Sequence, residues 1–419
     1  MTYTAEIIAV GTELLLGNTA NTDAQDVSAV LSELGINVYF HTVVGDNPER
    51  LKQAIAVAKG RADILITTGG LGPTYDDLTK ATLAEAFGKK LIFNEAEAKK
   101  IQDYFKTRLH NMEMTENNYQ QAYLPEDCVI FENSCGTAPG CAFFAEGKHV
   151  LMLPGPPREC RAMMRSGGVP YLKALSDSEL LSHNIHIFGM GESSVESKLR
   201  DMMTRMENPT VAPYAKDSEV MLRVTARAKT DEEADALMRP VIDEIRASLG
   251  DIIYGIDTAT LENTVVGLLS ERNRTLAAAE SCTGGLIAKR VTDIPGASKV
   301  FLGGVTAYAT AAKTALLGVP ESVIREKTVV SREVTIWMAR GAREKFGADI
   351  AVATTGVAGP GPDENGVEAG TVFVALAAPD GEYCRELHLF PDRDRARISA
   401  ASHALDMVRR CLTGLKIEE

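Results

Sequence analysis

The sequence contains no Cys-x-x-Cys pair, no apolar run of membrane-spanning length and no surplus of basic residues. Its seven cysteines, at 128, 135, 141, 160, 282, 384 and 411, are odd in number. That count and spacing argue against a disulfide framework and a structural zinc site, and fit a reducing compartment. The longest apolar runs, Thr275–Ala279, Ile350–Ala353 and Thr371–Ala378, fall far short of a membrane span. The first residues, MTYTAEIIAVGTELL, lack a basic stretch followed by a long apolar one. No signal peptide is therefore expected, and the expected location is cytoplasmic, without membrane contact. A net charge of −13 weighs against a general nucleic-acid-binding surface, which usually needs a basic face. There is no low-complexity tract and no repeat of fixed short period.

What remains is an ordinary globular composition, 45% hydrophobic and 24% charged, in a chain long enough for about two to four domains. Three regions separate by pattern. Residues 1–172 alternate strand-like and helix-like stretches: strands at 6–10, 37–43, 63–67 and 150–153, helices at 22–34, 47–59, 77–87 and 95–109. Short loops between them predict a doubly wound α/β sheet. Residues 173–256 predict a small α+β unit in β-α-β-α order, with strands at 185–188 and 219–228 and helices at 193–206 and 231–249. After a linker at 257–259, residues 260–415 alternate again and end in a long helix over 393–413.

Chemistry is signalled first at residues 275–285, Thr-Leu-Ala-Ala-Ala-Glu-Ser-Cys-Thr-Gly-Gly. An apolar strand breaks at Glu280-Ser281-Cys282-Thr283, turns on Gly284-Gly285 and enters an amphipathic stretch. A serine there can attack a carbonyl while amides at a helix N-terminus stabilise the oxyanion. A small-residue turn that only packs or caps a helix is the equally weighted structural reading.

The second signal is the loop Thr67-Thr68-Gly69-Gly70-Leu71-Gly72-Pro73-Thr74-Tyr75-Asp76-Asp77, between a strand and a helix. Ligands of open α/β sheets bind outside the carboxyl ends of strands, and glycines let the backbone approach a phosphate. Asp76 and Asp77 repel a bare phosphate but attract it through a divalent cation. Their structural reading is helix N-capping. Gly11-Thr12-Glu13 ends the first strand in the same way, and Asn18, Asn21 and Asp23 are candidates for the same crevice. Thr115-Glu116-Asn117-Asn118 reads as a solvated helix face or cap.

Several long motifs then coincide with one family. AEIIAVGTELLLG, NTDAQ, TVVGDN, ITTGGLGPTYDDLTK, MTENN, GTAPG and LPGPPRE, followed by NPTVAPYAK, AESCTGG, YATAAK and TTGVAGPG, make the chain resemble the CinA (competence/damage-inducible) family over nearly its whole length. The resemblance implies a molybdopterin-binding-protein-like α/β domain, a small KH-like α+β domain and a C-terminal α/β deamidase domain. It implies two activities. One converts nicotinamide mononucleotide to nicotinate mononucleotide and ammonia. The other cleaves ADP-ribose to AMP and ribose 5-phosphate with a divalent metal (Mg, Mn or Co). It implies a homodimer and no cofactor for the deamidase.

On the deamidase motif fall Ser281 as nucleophile, Lys313 as base and Tyr308 as its helper. Lys313 lies in a mostly alanine stretch where partial burial lowers a lysine pKa, and Ser–Lys pairs are a known variant of nucleophile and base. From the residues alone a snorkelling surface lysine is the simpler reading. Glu280, Cys282, Thr283, Gly284, Thr355, Gly356 and Arg393 are the expected substrate contacts. Arg393 has a surface ion pair with Asp394 as its structural alternative. In the pyrophosphatase crevice the expected contacts are Gly11, Thr12, Glu13, Asn21, Gly69, Gly70, Gly72, Thr74 and Asn117, with Asp76 and Asp77 on the metal.

The chain departs from the family pattern after Gly361, where Asp363, Glu364 and Glu368 stand and a lysine common in relatives is missing. Thr19-Ala20 replaces an apolar pair, and Asp23 stands where Asn is common. Two rival readings accompany the enzyme. One is a non-catalytic competence scaffold associated with nucleic acid, against which the acidic Gly189-Met190-Gly191-Glu192 speaks. The other is a molybdopterin-binding protein, which shares the N-terminal fold.

Overall fold

The computed structural model describes residues 3–107, 114–175, 179–216 and 218–417. The chain packs as two units, residues 1–181 with 227–235, and residues 182–226 with 236–419.

The first unit contains strands β1 (Thr4–Val10), β2 (Asn37–Val44), β3 (Ile64–Thr68), β4 (Leu91–Phe93), β5 (Tyr123–Pro125), β6 (Val129–Phe131), β7 (Gly140–Ala145) and β8 (Lys148–Leu153). Six of them form a sheet in the order β2-β1-β3-β8-β7-β6. The first four are parallel, and β7 and β6 add an antiparallel edge. Alternate residues of β1 face opposite ways. Ile8 packs with Leu51 and Ile55 of the helix Pro48–Lys59, and Ile7 packs with Val27 and Leu31 of the helix Thr22–Glu33. A parallel sheet buried on both faces in this way is doubly wound, as its near-continuous apolar strands predict. The carboxyl ends of β1 and β3 lie side by side, with Ala9 opposite Thr68. Both feed glycine loops.

Apart from residues 179–181 and 227–228, the second unit contains β9 (Glu179–Phe188), β10 (Thr210–Lys216), β11 (Glu219–Ala228) and β12 (Ile253–Ile256), in the order β10-β11-β9-β12. It also contains β13 (Leu276–Glu280), β14 (Phe301–Thr306), β15 (Ile350–Gly356), β16 (Thr371–Ala378) and β17 (Gly381–His388), in the order β14-β13-β15-β16-β17. The interior strand β13 is wholly buried and parallel to both neighbours. Leu276 and Ala278 face the core that includes Leu405 and Val408 of the helix Arg393–Thr413. Ala277 and Ala279 face Val334, Met338 and Ala342 of the helix Arg332–Phe346.

Several expectations shift. The helix expected from residue 77 starts at Thr79, so both aspartates stay in the loop. The middle region has four strands, where the sequence pattern predicts two. β10 carries Pro213 on the sheet edge, where a missing N–H is tolerated, and β12 is only four residues long. The helix predicted over 95–109 is Glu95–Thr107, and residues 108 and 109 lie outside the described residues. Among the described residues no helix is long and apolar enough to cross a membrane.

Candidate active site

Strand β13 delivers Ser281 to the edge of the C-terminal sheet. The Ser281 amide donates to the Thr354 carbonyl at 3.0 Å, and the Ala307 amide donates to the Glu280 carbonyl at 2.8 Å. The nucleophile candidate is thus tied through the backbone to both neighbouring strand ends. Lys313 rises from the helix Thr310–Leu317, and only 2% of it is exposed. Its Nζ lies 3.0 Å from Ser281 Oγ, 2.7 Å from the Ala307 carbonyl and 3.3 Å from the Tyr308 carbonyl. Burial pushes the Lys313 pKa down to about 8, against a smaller opposing effect of Cys282.

These groups open on a cavity of about 340 Å³, which Cys282, Thr355, Gly356, Asp363, Glu364 and Arg393 also line. The Cys282 thiol is pushed up to about 11, mainly by burial, so it stays protonated at neutral pH. Thr355 gives its hydroxyl proton to the Val329 carbonyl at 3.1 Å. Arg393 makes no pair with Asp394. Its guanidinium donates to the Gly359 carbonyl at 3.2 Å and to the Tyr308 hydroxyl at 3.0 Å. Among the described residues no histidine lines this cavity, and His388 lies at the surface beside Glu386.

Three expectations need correction here. Glu280 is not at the cavity. It is 1% exposed, and its carboxylate accepts from the amides of Gly285, Ile287 and Ala288 at 2.9, 3.0 and 2.9 Å. The helix N-terminus expected to hold an anion is therefore already occupied by the protein's own carboxylate. Thr283 and Gly284 are also absent from the cavity wall. The Thr283 hydroxyl is paired with that of Thr354 at 2.7 Å, and its carbonyl accepts from Arg397. Tyr308 holds the lysine through its backbone carbonyl, while its hydroxyl faces Arg393. The Ala307 carbonyl went unread in the sequence, because every residue carries one and no side chain marks it.

In the first unit a cavity of about 550 Å³ lies outside β1 and β3. Gly11, Glu13, Gly69, Gly70, Gly72, Thr74, Asp76 and Asp77 line it as expected, and Asp46, Gln121 and Glu159 join them unforeseen. Gly69 has φ +92°, and a Cβ there would sit 2.2 Å from the Val10 carbonyl oxygen. Gly70 has φ +68°, and its Cβ would meet the Thr79 hydroxyl at 2.1 Å. Only glycines let this loop fold back over both strand ends. Asp77 closes the loop on itself, accepting from the Thr74 amide at 2.8 Å and from its hydroxyl.

Thr12, Asn21 and Asn117 do not line this cavity. The Thr12 amide donates to the Asp46 carboxylate at 2.9 Å, and the Thr12 hydroxyl accepts the Asp46 amide at 3.2 Å. Asn21 is the N-cap of the helix Thr22–Glu33, accepting from the Ala24 amide. Asn117 donates to the Pro73 carbonyl at 3.2 Å, bracing the glycine loop from outside. Asn18 and Asp23 are likewise off the wall, and burial followed by repulsion from Asp26 pushes Asp23 up to about 6.

The carboxylates offer oxygen donors of the kind that hard cations prefer. Among the described residues no three His, Cys, Asp or Glu side chains converge as a metal cage. The carboxylates of Asp76 and Asp77 are of the type that hold Mg²⁺ together with ligand phosphates.

Family profiles match residues 6–174 as a probable molybdopterin binding domain, 182–255 as a damage-inducible protein CinA KH domain, and 258–412 as a CinA C-terminal domain. A CinA-like protein of Dictyoglomus turgidum is 46% identical over 98% of this chain and 99% of its own length. A putative competence-damage inducible protein of Acetivibrio thermocellus is also 46% identical, over 98% of this chain and 99% of its own. Among solved structures, the CinA protein of unknown function from Thermoplasma acidophilum is 34% identical, with a TM-score of 0.37, over 39% of this chain and 95% of its own. With full-length relatives at this identity and all three domain profiles in order, the chain is a member of the CinA family.

Proposed function

We propose that the C-terminal domain is a nicotinamide mononucleotide deamidase built on a Ser281–Lys313 dyad. The observation that carries this reading is the buried Lys313 amine 3.0 Å from Ser281 Oγ at the wall of a cavity. A neutral amine has two N–H bonds and one lone pair. The Ala307 and Tyr308 carbonyls take the two hydrogens, which leaves the lone pair to the serine hydroxyl. Ser281 Oγ bonds to the carboxamide carbon while its proton passes to Lys313. The tetrahedral oxyanion is assigned to the backbone amide of Cys282, which lines the cavity. Lys313 then returns the proton to the amide nitrogen, the C–N bond breaks and ammonia leaves. Water, deprotonated by Lys313, splits the acyl ester, giving the carboxylate and free serine. Arg393 at the rim is assigned to the substrate phosphate.

The test is ammonia release from nicotinamide mononucleotide. Ser281→Ala is expected to lower kcat by at least about a thousandfold with the fold retained. Full activity in that variant overturns the assignment.

The N-terminal cavity supports a second reading, metal-dependent ADP-ribose cleavage. The glycine loop Gly69–Gly72 and the half-buried Asp76 and Asp77 share one wall, as a diphosphate and its cation require. Asp76 and Asp77 would hold the cation, which supplies charge neutralisation at the diphosphate. The loop amides and Thr74 would orient the phosphates.

A further inference from the structure

Gln121 is 1% exposed, lines the N-terminal cavity, and its side-chain oxygen Oε1 is buried with no hydrogen-bond partner. Buried polar atoms in folded proteins are nearly always paired, so an orphan on a residue of the cavity wall points to a missing partner. The neighbours settle which atom is free. Asn118 donates its amide nitrogen to Thr115, to the hydroxyl at 2.8 Å and the carbonyl at 3.3 Å. Its Oδ1 therefore faces Gln121, at 3.5 Å, and demands a donor there. The Gln121 nitrogen is turned to Asn118, and the acceptor oxygen is left over. The backbone is equally fixed. Lys80, on the helix that follows the Asp76-Asp77 loop, donates from Nζ to the carbonyls of Gln120 at 3.3 Å and Gln121 at 2.8 Å. Gln121 is thus a rigid residue with a spare acceptor, on the wall it shares with the glycine loop.

We propose that Gln121 is a ligand-reading residue of the N-terminal site, whose Oε1 accepts a hydrogen bond from an N–H or O–H of the bound nucleotide. This rests on the reading of that cavity as an ADP-ribose site. Two groups of that ligand carry such a donor, the exocyclic amine of the base and the sugar hydroxyls. Phosphate oxygens are excluded, since an acceptor cannot pair with them.

The test uses the full chain, with ADP-ribose cleavage in Mg²⁺ as the readout and AMP and ribose 5-phosphate as competitive inhibitors. Gln121→Leu and Gln121→Met remove the acceptor at similar volume. They are expected to raise KM about 3- to 10-fold, the equivalent of one hydrogen bond, with kcat little changed. Weaker inhibition by AMP alone assigns the adenosine half, its base amine or its ribose hydroxyls, and weaker inhibition by ribose 5-phosphate alone assigns a hydroxyl of the distal ribose. If instead KM and both inhibition constants stay unchanged and Tm rises, Oε1 is only an unsatisfied packing atom, and the proposal is overturned. Absence of any cleavage by the unsubstituted chain overturns the ADP-ribose reading itself, and the proposal with it.

Discussion

At the scale of single residues, the chemistry turns on the charge of Lys313. Its pKa in the folded chain is about 8 against an ordinary 10.5. Only the neutral amine accepts the serine proton, so kcat/KM for deamidation is expected to rise with pH and level off above about 8. A profile flat from pH 6 to 9 counts against the dyad. The same shift acts on stability. Between the two pKa values the unfolded chain binds more protons than the folded one, so the lysine's cost is full below about pH 8 and fades as pH rises toward 10.5. Lys313→Met is expected to abolish activity and yet stabilise the domain at pH 7, by on the order of 1–3 kcal/mol, with the gain shrinking at high pH in urea titrations. The structural alternative, a snorkelling surface lysine, leaves stability unchanged. Sequence alone left those two readings open, because four neighbouring alanines fit an exposed helix as well as a buried one. The family motif favours the buried reading, and the packed helix shows the burial.

At the scale of elements, each candidate site is a strand end closed by a turn. The turn after β13 is held by the Glu280 carboxylate, which satisfies three amides of the incoming helix Leu286–Thr292. Glu280→Ala leaves those amides unpaired in a buried place. It is expected to cost roughly 3 kcal/mol or more in urea unfolding and to lower kcat through displacement of Ser281. Glu280→Gln keeps one acceptor and is expected to fall between. A wild-type midpoint in Glu280→Ala counts against the capping role. Glu280 was misread as a substrate contact because a carboxylate beside Ser-Cys-Thr-Gly-Gly resembles a site group. Its true partners lie five to eight residues on and depend on the fold of the turn. Asn21, expected as a crevice contact, is instead a helix cap, although an Asn just before a helical pattern is an N-cap signature. β10 was not legible, because Pro213 breaks the alternation that marks a strand. The parallel strands β1, β3 and β13 stood out because burial on both faces makes them continuously apolar.

At the scale of the whole molecule, the two cavities belong to separate compact units, with no lining residue in common. Asp76→Asn is expected to abolish metal-dependent ADP-ribose cleavage while deamidation stays within about twofold, and Ser281→Ala is expected to do the reverse. Parallel loss of both activities in either variant argues against two independent sites. Assaying each substrate with and without chelator adds a second axis, since only the N-terminal reading involves a cation. The order of the three domains was legible in the motifs. The division into two units was not, because composition barely changes across residues 182–256.

One feature of the C-terminal sheet carries a consequence for how the protein ages and fails. Ser281 hangs by its amide from β15, Glu280 anchors the chain leaving β14, and Lys313 is gripped by the carbonyls of that same exit. The reactive pair has no hinge of its own. Heat or denaturant cannot loosen it ahead of the sheet, so loss of deamidation follows the cooperative melting of the domain, with little inactivation at temperatures where the domain is still fully folded.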